Sequence, residues 1–368
     1  MKPSPIFKFI RLGVLLGLAV LIAVSATARK PVGPSTGSRP DTVTPAQLQL
    51  KTMFPNSYAK AAAEFGWRQH RDGQSQGLPD KLPKRVVVLV HGLDEPGKLW
   101  MNVAPAVTNA GYATCEFRYP NDQPLTASAT YLLHSLGDLR TRGTTEIIFV
   151  SHSMGGLVCR ELLTSPELDH AGGVIKKQVP AVKRLLMLCP PNHGSPLAHA
   201  RFATELRDQC MRLFKGNGNL LSGLVDGTGE AGTDLVPDSE FLRTLNGRPS
   251  LRGVTLTIIA GIASPITTDQ LGVLDPPPAP APEVAAKDDM AAQCRAALES
   301  LAEGVGDGCV SVDSAKLTGV TDFVTVQGTH LSTVRNVLES STDIPPAVPL
   351  VLERLAKDWP LPPRTVAK

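Results

Sequence analysis

Glu146-Ile-Ile-Phe-Val150-Ser151-His152-Ser153-Met154-Gly155-Gly156-Leu157-Val158 is the stretch that decides the fold. Its first five residues are a continuous apolar run rich in β-branched and aromatic side chains, the pattern of a strand buried on both faces. The run breaks at small residues and resumes as a helical pattern through Thr164, before Pro166. A serine on the sharp turn between such a strand and a helix projects its hydroxyl above the sheet edge. The turn is crowded, so small residues are needed two before and two after it. Gly155 meets the second requirement, and Ser151 stands where glycine is usual. The Ser151 Cβ is expected to make the turn less comfortable. Ser153 is the candidate nucleophile.

Similar units lie on either side. Arg85-Val-Val-Val-Leu-Val90 reads as a second buried strand, followed by a helix over 98–109, a strand over 112–117 and a helix over 126–141. Further strands are expected over 183–189, 254–260 and 323–326. Strands separated by helices imply a mainly parallel α/β sheet. Two stretches interrupt this rhythm, a glycine-rich one over about 196–235 and a proline-rich one over about 265–306 with a helical pattern from 288 to 303. Both read as insertions on one domain over 48–368, at strand ends where loops carry function.

A nucleophilic serine needs donors for the developing oxyanion, a base and an acid. The backbone N–H groups of Leu93, after the strand ending at Val90, and of Met154, at a helix start, are the expected oxyanion donors. His91 reads as a strand-end residue bonded to loop backbone. The chain order of this architecture is serine, acid, histidine. His330, in Gly328-Thr-His-Leu-Ser332, follows the last strand, leads into an expected helix, and is the candidate base. His193 and His199 come too early for an acid to precede them and read as structural or as part of the entrance. Asp307 is the favoured acid because Gly306 and Gly308 permit a tight, exposed turn. Asp269 is the rival, while Asp313 and Asp322 read as solvated loop charges.

Taken together, Val88-Leu-Val-His-Gly-Leu93, Phe117-Arg-Tyr-Pro120, Val150-Ser-His-Ser-Met-Gly-Gly-Leu-Val158 and Gly306-Asp-Gly-Cys-Val-Ser311 resemble bacterial lipase/esterase-type α/β-hydrolases. Cys189-Pro-Pro-Asn-His-Gly-Ser195 is similar to the Thr-Pro-His-x-Gly-Ser segment of triacylglycerol lipases and their inositol-deacylase-like relatives. Ser151 for glycine and Cys189-Pro-Pro for Gly-Thr-Pro are the departures. The resemblance spans about 85–340 and implies an α/β-hydrolase fold, on which the insertions at 196–235 and 265–306, by their position after strand ends, are the lid or cap candidates. It implies hydrolysis of a carboxylic ester through an acyl-enzyme, with Ser153, Asp307 and His330 as the triad. An amidase, thioesterase or acyltransferase would use the same triad. A non-catalytic binding module on this scaffold would be marked by a missing member. No lid helix with a clean apolar stripe is readable, which leans toward a general esterase. The fold hosts many chemistries, so the substrate, a small-molecule or lipid ester, stays open.

The N-terminus carries Lys2, Lys8 and Arg11, then an uncharged apolar run from Leu12 to Val24 and the small-x-small site Ala26-Thr27-Ala28. This is the pattern of a secretory signal over 1–28, with an uncleaved membrane anchor as the alternative. Residues 29–47, with Pro31, Pro34, Pro40 and Pro45, read as a linker. The chain is therefore expected to be exported, periplasmic or extracellular. The whole has 37 Lys+Arg against 34 Asp+Glu, and the leader's three cations account for the excess. Net charge thus gives no reason to expect nucleic acid, whereas association with a lipid surface is compatible with the motifs. Oligomeric state is not readable. Cys115, Cys159 and Cys189 fall in core-like segments, and Cys210, Cys294 and Cys309 are the candidates for a bridge in an oxidising compartment. No Cys-x-x-Cys, zinc-ligand cluster or calcium loop is present, and the triad chemistry requires no cofactor or metal.

Overall fold

The computed structural model describes residues 65–71, 73–93, 98–121, 123–170, 172–173, 175–195, 198, 230–249, 251, 253–262, 306–338 and 340–361. The leader, the linker, Asp269, His199, Cys210, Cys294, most of the first insertion and nearly all of the second lie outside them.

Among the described residues eight strands form one sheet: β1 (Gly66–Arg71), β2 (Gln74–Gln76), β3 (Arg85–Val90), β4 (Thr114–Arg118), β5 (Glu146–His152), β6 (Ala181–Leu188), β7 (Thr255–Gly261) and β8 (Asp322–Val326). Their order is β2-β1-β4-β3-β5-β6-β7-β8. From β4 to β8 every pair is parallel, and β1 is antiparallel to both β2 and β4. The helices are α1 (Val103–Ala110), α2 (Leu125–Thr141), α3 (Met154–Thr164), α4 (Ile175–Gln178), α5 (Glu230–Asp234), α6 (Glu240–Asn246), α7 (Val312–Ala315) and α8 (Ala347–Asp358).

The central strands read as unbroken apolar runs because each serves two cores. Val86, Val88, Ile147, Phe149, Leu185 and Met187 face a cluster shared with α2 and α3. Alternate residues Val87, Leu89, Ile148, Val150, Leu186 and Leu188 face a second cluster with α1 and α8. Burying each such side chain stabilises the fold by about 1.5–3 kcal/mol, so the strand pattern and the three-layer arrangement have one cause.

The C-terminal ends of these strands, where β5 passes into α3, carry the candidate site. At the opposite end Arg184 of β6, almost fully buried, donates to Asp358 of α8 at 2.9 Å and to Thr257 of β7 at 2.7 Å. Asp322 of β8 in turn accepts from Thr257 and from Arg354 of α8, at 2.7 and 2.9 Å. This network fixes β8, from which the His330 loop departs. Arg184→Ala would take the buried cation from partly buried Asp358 and Asp322 and is expected to destabilise the fold by about 1.5–3 kcal/mol, read from urea unfolding; an unchanged midpoint contradicts this role. Asp322 is therefore a member of a partly buried ion-pair network and not a solvated loop charge, whereas Asp313 is exposed and pairs with Lys316.

Candidate active site

Ser153 has φ 51° and ψ −129°, a conformation that L residues rarely adopt. Its backbone N–H donates to the Leu188 carbonyl at 2.8 Å, and its carbonyl accepts from Gly156 N–H at 3.0 Å. The turn is thus held by β6 on one side and by its own helix on the other. Ser151 is not the uncomfortable position. It lies within the β5 ladder, paired with Val90 and Met187, and its hydroxyl donates to the Leu186 carbonyl at 3.0 Å. The backbone strain sits two residues later, on Ser153 itself.

Gly155 permits α3 to start directly against β3. A Cβ there would lie 2.4 Å from the His91 carbonyl oxygen and 2.5 Å from that of Val90. Both are backbone atoms that cannot swing aside, so Gly155→Ala is expected to cost about 1–3 kcal/mol of stability. Denaturant unfolding measures this, and a wild-type midpoint would refute the close approach.

The loop after β3 meets the same turn. A Cβ on Gly92 would fall 2.8 Å from Ser153 Cβ and 3.1 Å from the His152 carbonyl oxygen. His91 anchors the loop as the sequence suggests: its Nδ1–H donates to the Gly92 carbonyl at 2.8 Å, and its Nε2 accepts from Tyr119 N–H at 3.4 Å. The His91 ring stacks on Tyr119, 4.5 Å between centroids. Tyr119 Oη and Asn121 Nδ2 hold the His91 and Gly92 carbonyls at 2.8 and 3.1 Å. Leu93 is half-buried at the end of this loop, and buried Met154 opens α3. The two expected oxyanion donors are thus carried by segments in contact beside Ser153.

Asp307 and His330 are in direct contact. His330 Nδ1–H donates to Asp307 Oδ2 at 2.8 Å, and the His330 backbone N–H donates to the Asp307 carbonyl at 2.9 Å. Asp307 Oδ1 accepts from the backbone N–H groups of Cys309 at 2.9 Å and Val310 at 2.7 Å. Its turn is tight, with Gly308 at φ 89° and a Gly306–Ser311 bridge, but it is buried and not exposed: Asp307 keeps 1% of its surface. Burial pushes the carboxyl pKa up, yet the facing His330 and the three hydrogen bonds bring it below the ordinary value. With Nδ1 protonated, His330 Nε2 is left as an acceptor. Among the described residues no hydrogen bond joins it to Ser153 Oγ, a looseness common without substrate. The expected helix after His330 is absent; residues 330–335 form hydrogen-bonded turns, and the next helix starts at Ala347.

Two contacts of the site were not foreseen from the sequence, one of them made by a segment noted there only for its resemblance. The segment Cys189–Ser195 wraps the acid turn: Ser195 Oγ donates to the Cys309 carbonyl at 2.6 Å, Asn192 Nδ2 to that of Ala315 at 2.7 Å, and His193 N–H to that of Ser314 at 3.0 Å. The other is His152, buried beside the nucleophile, whose Nε2 lies 2.9 Å from the His330 carbonyl. Cys115, Cys159 and Cys189 are free and buried, as their apolar settings suggest. Burial, followed by the neighbouring Asp307, raises the Cys189 thiol pKa and keeps it protonated. Donor atoms of His152, Cys189 and His330, and of Asp307, Cys309 and His330, lie within 4.8 Å of one another. Both sets include His330, whose Nδ1 is committed to Asp307.

Two buried histidines are expected to make the fold acid-sensitive. Burial lowers the pKa of His91 and, with His330 nearby, takes that of His152 to about 3. The unfolded chain protonates them near about 6.5, so stability declines as the pH falls below that value. Asp307, depressed in the folded state, contributes stability present above about 3.9 that is lost as pH falls through its folded value. Thermal melts should be flat above about pH 7 and fall steadily below it. A melting temperature constant from pH 7 to pH 4 would contradict this.

The strand order, the strained serine between β5 and α3, and the acid and histidine on loops after β7 and β8 define an α/β-hydrolase fold. Residues 124–262 match the PGAP1-like alpha/beta domain. The lipase BlEst2 of Bacillus licheniformis in its propeptide form is 19% identical, with a TM-score of 0.50 over 77% of this chain and 53% of that one. Its mature form is 17% identical over 78% and 97%, with a TM-score of 0.49. The metagenomic carboxyl esterase MGS0156 is 19% identical over 92% and 98%, with a TM-score of 0.46. No curated protein matches the sequence. The chain thus has an α/β-hydrolase fold.

Proposed function

We propose that this protein is a serine hydrolase of carboxylic esters, acting through an acyl-enzyme on Ser153. The observation that carries the reading is the hydrogen-bonded pair of buried Asp307 and His330, tied through His152 to the turn that holds a serine at φ 51°. His330 Nε2 takes the Ser153 proton as Oγ attacks the ester carbonyl carbon. The oxyanion is held by the Leu93 and Met154 N–H groups. His330 then protonates the leaving alkoxide as the carbon–oxygen bond breaks, releasing an alcohol. Water, deprotonated by the same histidine, attacks the acyl-enzyme and releases the acid and free Ser153. Asp307 holds the imidazole tautomer and stabilises the imidazolium without taking its proton.

The substrate is a small-molecule or lipid ester, and the protein acts after export, freed from or anchored by its first 28 residues. The motifs and the lipase and esterase neighbours support this reading. The test is a panel of p-nitrophenyl esters of short and long acyl chains, below and above micelle formation, beside matched thioesters and anilides. Turnover fastest on the oxygen esters is expected. Turnover confined to thioesters or anilides, or none at all, overturns the proposal.

A further inference from the structure

We propose that His152 is a positioning residue, whose Nε2–H sets the place of His330 by holding its main-chain carbonyl. The inference rests on the function proposed above. His330 is fixed to the acid turn twice, through its ring and its backbone N–H, but those bonds only relate it to Asp307. Among the described residues, the His152–His330 bond is the hydrogen bond that ties His330 to the strand carrying Ser153. It spans 178 positions of sequence, and the donor belongs to the residue next to the nucleophile. The two rings also pack, 4.6 Å between centroids and tilted by 52°. Any displacement of the His330 main chain relative to the strand of Ser153 must therefore stretch this contact.

The protonation state is settled by geometry. A carbonyl only accepts, so Nε2 carries the proton and Nδ1 is a bare acceptor. Nδ1 is buried and finds no hydrogen-bond partner among the described residues. A buried unpaired acceptor is unfavourable, and an apolar residue would remove it, so packing alone is a poor reason for histidine at this position. Burial keeps the ring neutral, so it does not compete with His330 for the Ser153 proton. A donor at the ε position is the property the site requires.

Three variants separate this role from a structural one. Glutamine places an amide N–H near the ε position, asparagine places it near the δ position, and leucine has none. His152→Leu and His152→Asn are expected to lower kcat by about 10- to 100-fold with KM within about twofold, the scale of a small misplacement of a reacting group. His152→Gln should recover to within about fivefold of wild type, since it can restore the bond. The His330 Nδ1–H proton resonance, read without substrate, should shift or broaden in the leucine and asparagine variants and return in the glutamine one. Equal losses in all three variants, or kcat unchanged in the leucine variant, overturn the proposal. The resonance reports on His152 even if esters are not hydrolysed, so this inference and the proposed function fail separately. If the leucine variant does not fold, the asparagine–glutamine contrast decides.

Discussion

Ser153→Ala is expected to lower kcat on the best ester by about 10⁴- to 10⁶-fold while leaving the protein folded. The substitution removes the atom that forms the acyl bond. What remains is a site that binds and polarises an ester without a nucleophile in place, worth about 10³- to 10⁴-fold over water. The fold should tolerate the change. The structural bonds of Ser153 are made by its backbone, to Leu188 and Gly156, and alanine keeps both. Its Oγ has no hydrogen-bond partner among the described residues to be left stranded. The melting temperature should therefore stay within about 2 °C of wild type. Residual activity above about a hundredth of wild type would remove Ser153 from the mechanism.

Asp307→Asn is the second large effect, and the acid turn shows why an isosteric change is so damaging. Asp307 Oδ1 faces two backbone donors, Cys309 and Val310 N–H. An introduced amide must direct its oxygen at those donors, which turns its NH₂ toward His330 Nδ1. That nitrogen then has to accept, so the ring proton moves to Nε2, the atom that must take the proton from Ser153. A wrong tautomer of this kind costs about 10⁴-fold in kcat in the well-studied protease triad. We expect a similar loss here, with KM little changed and the mutant still folded. Asp269→Asn, the alternative from the sequence, should remain near wild type. The reverse pattern in parallel kinetics would transfer the acid role to Asp269.

Strands β3, β5, β6 and β7 were legible because burial on both faces leaves no polar alternation to interpret. Strand β1, between β2 and β4 near the sheet edge, was not: of its residues only Trp67 is buried, and the rest carry polar or partly exposed side chains. Helix α8 also went unread, although Ala347, Val348, Val351 and Leu355 close the second core. Pro349 in its first turn reads as a breaker in isolation but is tolerated there, where an N–H has no helical partner. Within the site, Gly306 and Gly308 pointed to the acid turn, and chain order pointed to His330. The burial of that turn was not visible, because it is imposed by the Cys189–Ser195 segment packed over it. Nor was His152 legible as anything but a residue of the turn. Its partner is a main-chain carbonyl on a distant loop, and neither spacing nor composition records such a contact.

The central claim is that Ser153 is an activated nucleophile. Its most direct test is intact-mass and peptide analysis after treating folded protein with a fluorophosphonate. A single phosphonyl adduct on the peptide containing Ser153 is predicted, abolished by denaturation before labelling and by Ser153→Ala. No adduct on a folded, ester-hydrolysing protein, or an adduct on another serine with Ser153 unmodified, would contradict it.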